Sequence, residues 1–168
     1  LFRSHHNALD MELYLRVAQE LYIKRCLVGG FERVYEMNRN FRNEGLSTEH
    51  NPEFTMLEYN EAYVDYIDYM NLTEEMLRTV ALQVTGSTIV HYQGHEIDFG
   101  APFVRQTLLQ SVLECNTQLS EDDCNNAALL REYLASRSID IPPVDSPGEV
   151  LLEVFEHTVE ASLMQPTF

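Results

Sequence analysis

Residues 41 to 59 read FRNEGLSTEHNPEFTMLEY, and they collect a cation, carboxylates, a histidine and an aromatic ring around Gly45. An arginine such as Arg42 can grip a phosphate bidentately. A ring such as Phe54 can stack on a base. One carboxylate, Glu44, can accept hydrogen bonds from an exocyclic amine; another, Glu58, can pair with an ammonium, and His50 in the intervening loop can reach a terminal phosphate. Side chains alternate across a strand. Arg42 therefore shares a face with Asn38, Asn40 and Glu44, and Phe54 shares one with Met56 and Glu58. Paired across the loop, the two runs would set Arg42, Glu44, Phe54 and Glu58 on one surface, a floor for a nucleotide and a cationic group. Charge and spacing alone fit a salt-bridged surface hairpin over a buried Phe54 more readily, because solvated charged faces are common and surface pairs contribute little.

The elements that must position these residues emerge from periodicity and turn chemistry. The spacing predicts a helix over 10–28, stopped at Gly29 and Gly30. A strand from Glu32 to Arg42, a polar loop from Asn43 to Pro52 and a second strand over 53–64 make a long hairpin. Helical periodicity resumes at Asp65 and stops at Gly86; STIVHY and HEIDFG then read as short strands joined at Gln93 and Gly94. Gln106 to Glu114, Asn125 to Ser136 and Gly148 to Ser162 read as helices, the last two separated by the proline-rich IDIPPVDSPG. The order implies an α+β class: an antiparallel sheet flanked by helices on one face.

Length and composition bound the rest. A chain of 168 residues, 45% apolar, supports one respectable core and is not a disordered tail. No apolar run approaches a membrane span, so a soluble, cytoplasmic protein with no membrane partner is expected. With 27 acidic against 11 basic residues and a net charge of −16, the chain alone should bind nucleic acid weakly. Cys26, Cys115 and Cys124 are odd in number and form no CxxC pair, which favours reduced, packing thiols. His5 and His6 read as loop residues, and His91 and His95 flank a turn without a third metal ligand. The first residues, LFRSHHNALD, and the last, LMQPTF, suggest a piece of something longer.

FRNEGLSTEHNPEFTMLEY strongly resembles motif 2 of class II aminoacyl-tRNA synthetases, in the form of the lysine-specific branch. The upstream HHNALDMELYLRVAQELYIKRCLVGGFERVYEMNRN and the downstream VHYQGHEIDFGAPFVRQTL and EVFEHTVEASLMQPTF are similar to that branch as well, so the likeness covers nearly the whole chain. It implies an incomplete class II catalytic domain over 1–168, with the motif 2 hairpin at about 32–63, a helical insertion at about 103–162 and no anticodon-binding domain. Motif 1, which builds the homodimer interface, and motif 3, whose arginine grips ATP, fall outside it.

The resemblance also implies roles. Arg42 would hold the α-phosphate of ATP and the amino-acid carboxylate as they react, making it the catalytic cation. Glu44 would contact the adenine amino group, His50 and Asn51 would lie beside the phosphates, and Phe54 would stack on adenine. Glu20 and Glu58, with Arg42, would receive lysine. The family usually has a tyrosine two residues after the motif's last glutamate; here the run is Glu58, Tyr59, Asn60. Either Asn60 replaces that contact, or a bulge turns Tyr59 around. Mg2+ is expected of the family, with no metal ligands in these residues.

The implied activity is that of a lysine–tRNA ligase, which joins lysine to ATP as lysyl-adenylate and passes it to tRNA(Lys), the fragment alone being inactive. A lysyltransferase that modifies a translation elongation factor shares motif 2. A truncated paralogue acting as a non-catalytic binding module is the alternative from another class.

Overall fold

The computed structural model describes residues 1–48 and 50–168, and among them three antiparallel hairpins and six helices carry most of the chain. Its contacts divide into two units, Leu1–Asp65 and Tyr66–Phe168.

In the first unit, β1 (Arg3–His6) pairs with β2 (Met11–Tyr14), from Arg3↔Tyr14 to His6↔Met11. Asp10 closes the turn at φ +47°, a left-handed setting that aspartate tolerates better than most residues. This corrects the helix expected over 10–28: only Glu20–Val28 is helical, as α1. The physical reason lies in the backbone. The Arg16 carbonyl, which a continuous helix would offer to its own next turn, accepts instead from the Phe41 N–H at 2.9 Å. His5 and His6, expected in a loop, are strand residues. His5 sits opposite Glu12 with Nδ1 3.1 Å from a Glu12 carboxylate oxygen.

The central hairpin joins β3 (Arg33–Phe41) to β4 (Glu53–Glu61), close to the bounds expected from sequence.

In the second unit, α2 (Tyr66–Thr85) ends before Gly86, whose φ of +76° suits a helix stop. Next, β5 (Ile89–Tyr92) and β6 (His95–Asp98) turn at Gln93 and Gly94, both at positive φ as a two-residue type I′ turn requires. Glu74 on α2 pairs with Arg78 at 2.8 Å and Arg105 at 3.5 Å. Arg78 also donates to the Phe99 carbonyl at 3.0 Å, fastening the segment after β6 to the helix.

The core of this unit is helical: α3 (Leu108–Cys115), α4 (Glu121–Cys124), α5 (Ala127–Ser136) and α6 (Pro147–Thr158), followed by a 3₁₀ turn at Glu160–Ser162. Val112, Leu130, Leu134, Val150 and Val154 are fully buried among them. Capping boxes start three of the helices, Thr107 with Gln110, Ser120 with Asp123 and Ser146 with Glu149. Among the described residues two buried polar side chains stand in this unit, Ser111, whose hydroxyl donates to the Leu108 carbonyl at 2.7 Å, and Asn116. Asn116 donates to the Val112 carbonyl and to Thr158 Oγ1 and accepts from Tyr133, so its amide is satisfied. Burial pushes the Tyr133 phenol up.

The α+β class holds. The strands pair as three separate two-stranded ladders among the described residues, where the sequence suggested one sheet.

Candidate nucleotide and amino-acid site

The β3–β4 ladder runs without interruption from Arg33↔Glu61 to Phe41↔Glu53. Even-numbered residues therefore share one face: Asn40 lies opposite Phe54, Asn38 opposite Met56, Glu36 opposite Glu58 and Val34 opposite Asn60. Arg42 extends this alternation by one residue, its N–H donating to the Pro52 carbonyl at 2.9 Å. Its guanidinium lies 5.2 Å from the centroid of the Phe54 ring, within cation–π range. Arg42 Nε donates to the Val17 carbonyl at 3.2 Å, which fixes the plane of the guanidinium.

Beside this pair is a cavity of about 240 Å³ lined by Arg42, Glu44, Gly45, His50, Asn51 and Phe54. These are the residues that sequence assigned to a nucleotide, with the glycine of the turn. The volume sits just below the roughly 300–1,000 Å³ of typical ligand pockets. Gly45 is at φ +115°, a conformation side chains rarely adopt, and it bends the loop at the cavity wall. His50 is fastened by Ser47: its N–H donates to Ser47 Oγ at 3.0 Å, and its ring Nδ1 is also 3.0 Å from that oxygen.

Further along the face, two carboxylates oppose each other, and like charges across a ladder repel. Arg16 resolves the conflict for Glu36, donating from Nη1 at 2.5 Å while Asn38 adds a bond at 3.2 Å. These bonds, that of Arg16 foremost, hold the Glu36 carboxyl below the usual carboxylate range. Among the described residues Glu58 Oε2 is buried without a hydrogen-bond partner. Such an atom carries a desolvation cost that a donor would relieve.

The remaining site residues fall differently. Glu20 opens α1 half-exposed and takes Lys24 Nζ at 2.5 Å, which lowers its pKa; it does not line the cavity. Asn60 shares the Glu58 face, while Tyr59, opposite Tyr35, projects from the other. The unbroken ladder contains no bulge to turn Tyr59 around. Among the described residues no three His, Cys, Asp or Glu side chains gather as a metal site.

Sequence reasoning missed the segment Arg16–Gln19, which lies along the hairpin and reaches it through Arg16, Val17 and Gln19. Arg16 Nε donates to the Arg39 carbonyl at 3.0 Å, and Gln19 Nε2 to the Glu36 and Met56 carbonyls at 3.3 Å. No sequence signal marked these contacts, because the helical period read over 10–28 placed Gln19 inside a helix, where the structure starts α1 only at Glu20.

Residues 1–152 match the family of class II tRNA synthetases (D, K and N). Over 99% of its length the chain is 56% identical to a lysine–tRNA ligase of Thioalkalivibrio sulfidiphilus and 53% identical to one of Psychromonas ingrahamii. A third lysine–tRNA ligase, from Vibrio cholerae, is 50% identical over the same share. The chain spans about a third of the length of these curated relatives, 34%, 33% and 34% respectively. No helix of the described residues is long and apolar enough to cross a membrane. With the family matched over most of its length and a motif 2 hairpin folded as an arginine-and-phenylalanine pocket, the chain belongs to the class II tRNA synthetases (D, K and N).

Proposed function

We propose that these residues form part of the catalytic domain of a lysine–tRNA ligase acting in cytoplasmic protein synthesis. The observation that carries the reading is the cavity in which Arg42 lies over Phe54 beside Glu44, His50 and Asn51. In it, adenine stacks on Phe54 with its amino group on Glu44, and the phosphates extend towards His50 and Asn51. The lysine carboxylate attacks the α-phosphorus of ATP: a P–O bond forms to the carboxylate, the bond to the bridging oxygen breaks, and pyrophosphate leaves. Negative charge grows on the α-phosphoryl oxygens as this happens, and a fixed cation at Arg42 stabilises it where it develops.

The lysine side chain is received by carboxylates. The buried Glu58 Oε2 offers an acceptor to an ammonium. Asn60, on the same face, stands in the place of the family's tyrosine. Glu20 joins them if its Lys24 partner gives way to the substrate ammonium. The lysyl group then passes to a ribose hydroxyl at the 3′ end of tRNA(Lys), releasing AMP. The three similar lysine–tRNA ligases favour tRNA over an elongation factor as acceptor. Mg2+ would accompany the phosphates on ligands from outside these residues, the protein would act as a homodimer, and residues 103–162 would be a helical insertion in the same catalytic domain.

Lysine-dependent ATP–pyrophosphate exchange by the full natural protein tests the reading. Exchange with lysine and not with aspartate or asparagine is the expected result, and its absence overturns the proposal. Charging of tRNA(Lys), set against lysylation of an elongation factor, identifies the acceptor.

A further inference from the structure

We propose that Gln19 is a positioning residue that sets the geometry of the amino-acid end of the site by pinning the start of α1 across both strands of the hairpin. The inference rests on the lysine reading above and adds a residue to it.

Gln19 is fully buried. Its main-chain carbonyl accepts the first bonds of α1, from Tyr22 at 3.0 Å and Ile23 at 3.2 Å. Its side chain makes no cap bond to the helix and turns to the hairpin. There, Nε2 reaches the Glu36 carbonyl on β3 and the Met56 carbonyl on β4, both at 3.3 Å. One residue thus starts the helix that carries Glu20 and clasps the two strands beside Glu58, which lies opposite Glu36 and two residues after Met56. The distance between the two proposed lysine carboxylates runs through this side chain.

The amide is poorly satisfied in other respects. Gln19 Oε1 is buried with no hydrogen-bond partner among the described residues. A buried amide left half-paired gives folding little, because the desolvation of the orphaned oxygen offsets the bonds made by Nε2. An isosteric apolar chain would remove the donors and the orphan together at small cost to stability. What it would remove without compensation is the link between α1 and the two strands. This separates a positioning role from a structural one.

The test uses Gln19→Met and Gln19→Asn in the full natural protein, with ATP–pyrophosphate exchange measured against lysine, against ATP, and against ornithine as the analogue one methylene shorter. For Gln19→Met the expected result is a lysine KM raised about tenfold, an ATP KM within about twofold of the parent and a relaxed preference for lysine over ornithine. The thermal midpoint should stay close to that of the parent. Gln19→Asn keeps the donor on a shorter arm and should move the lysine-to-ornithine ratio while leaving the ATP KM alone. Unchanged lysine KM and unchanged ornithine discrimination in both variants overturn the inference. So does a parallel rise of both KM values with a fallen midpoint, which is the mark of a structural role. If the unaltered protein shows no lysine-dependent exchange, the lysine reading itself falls and this inference with it, an outcome read from the parent before any variant.

Discussion

Arg42 is held between two unlike partners, the face of the Phe54 ring at 5.2 Å and the Val17 carbonyl at 3.2 Å from its Nε. The ring supplies an apolar shelf and the carbonyl a fixed angle, so the cation is oriented before any substrate arrives. Preorganisation of this kind makes a charge effective in a transition state, since none of the reaction's free energy goes into turning it.

Replacing this arginine should therefore be severe, and a retained charge should not rescue it. Arg42→Ala is expected to lower lysine-dependent exchange by at least about a hundredfold, the loss typical of removing one transition-state donor. Arg42→Lys keeps the charge but loses the bond from Nε and the planar fork, and should recover little of that. Exchange rates at saturating ATP and lysine decide the matter.

Phe54→Ala removes the shelf and leaves Arg42 its bond to the Val17 carbonyl. Base stacking is worth about 1–3 kcal/mol, so the ATP KM should rise by roughly tenfold or more with the lysine KM little changed. Equal changes in both would argue against an adenine platform at Phe54.

Glu58→Gln keeps the shape of the side chain and removes its charge. If the buried Oε2 meets an ammonium, the lysine KM should rise by at least about tenfold, while exchange at saturating lysine stays within a few-fold of the parent. Steady-state kinetics over a wide lysine range separate the two.

The Arg16–Glu36 pair makes a prediction about acid. Hydrogen bonds from Arg16, then Asn38, place the folded-state pKa of Glu36 below its ordinary value of 4.5. A depressed carboxylate contributes stability that is complete above the unfolded pKa and lost as pH falls through the folded one. Arg16→Met should accordingly lower the thermal midpoint at pH 7, by a deficit that shrinks as pH falls below 4.5. Melting curves of both proteins from pH 7 downward show it, and a deficit that does not shrink below pH 4.5 would assign Arg16 to packing instead.

In the second unit the leverage is packing. Leu134 is fully buried among the helices, and Leu134→Ala should cost about 2–5 kcal/mol through lost burial and a cavity. Thermal unfolding of the full natural protein should show the loss with the lysine and ATP KM values intact.

Much of this architecture can be read from residues alone, for physical reasons that also explain the exceptions. The long hairpin announces itself because two nine-residue runs with partial alternation flank a polar turn. Gln93–Gly94 and Gly86 declare their turns through the conformations they permit. Met11–Tyr14 resists the same treatment: its apolar residues fit the helical period of residues 15–28, and only pairing with Arg3–His6 resolves it. Glu121–Cys124 is too short to show any period and is recognisable only by its Ser120–Asp123 cap. At the site, Arg42 and Phe54 are legible as types at a spacing. Arg16 and Gln19 act through backbone carbonyls of Glu36, Arg39 and Met56, and no periodicity encodes a contact between a side chain and a distant main chain.

The bond between the Phe41 N–H and the Arg16 carbonyl has a dynamic consequence. The amide at the end of β3 is protected from solvent by a segment far away in sequence, not by the neighbouring strand. Its hydrogen-exchange rate therefore reports how often residues 16–19 lift from the hairpin, independently of whether the hairpin itself stays zipped. Because Arg42 is the next residue and leans on Val17, each such opening also releases the guanidinium. A slow Phe41 amide would mean a long-lived, ready cation, and ligands that favour the ready state should slow it further.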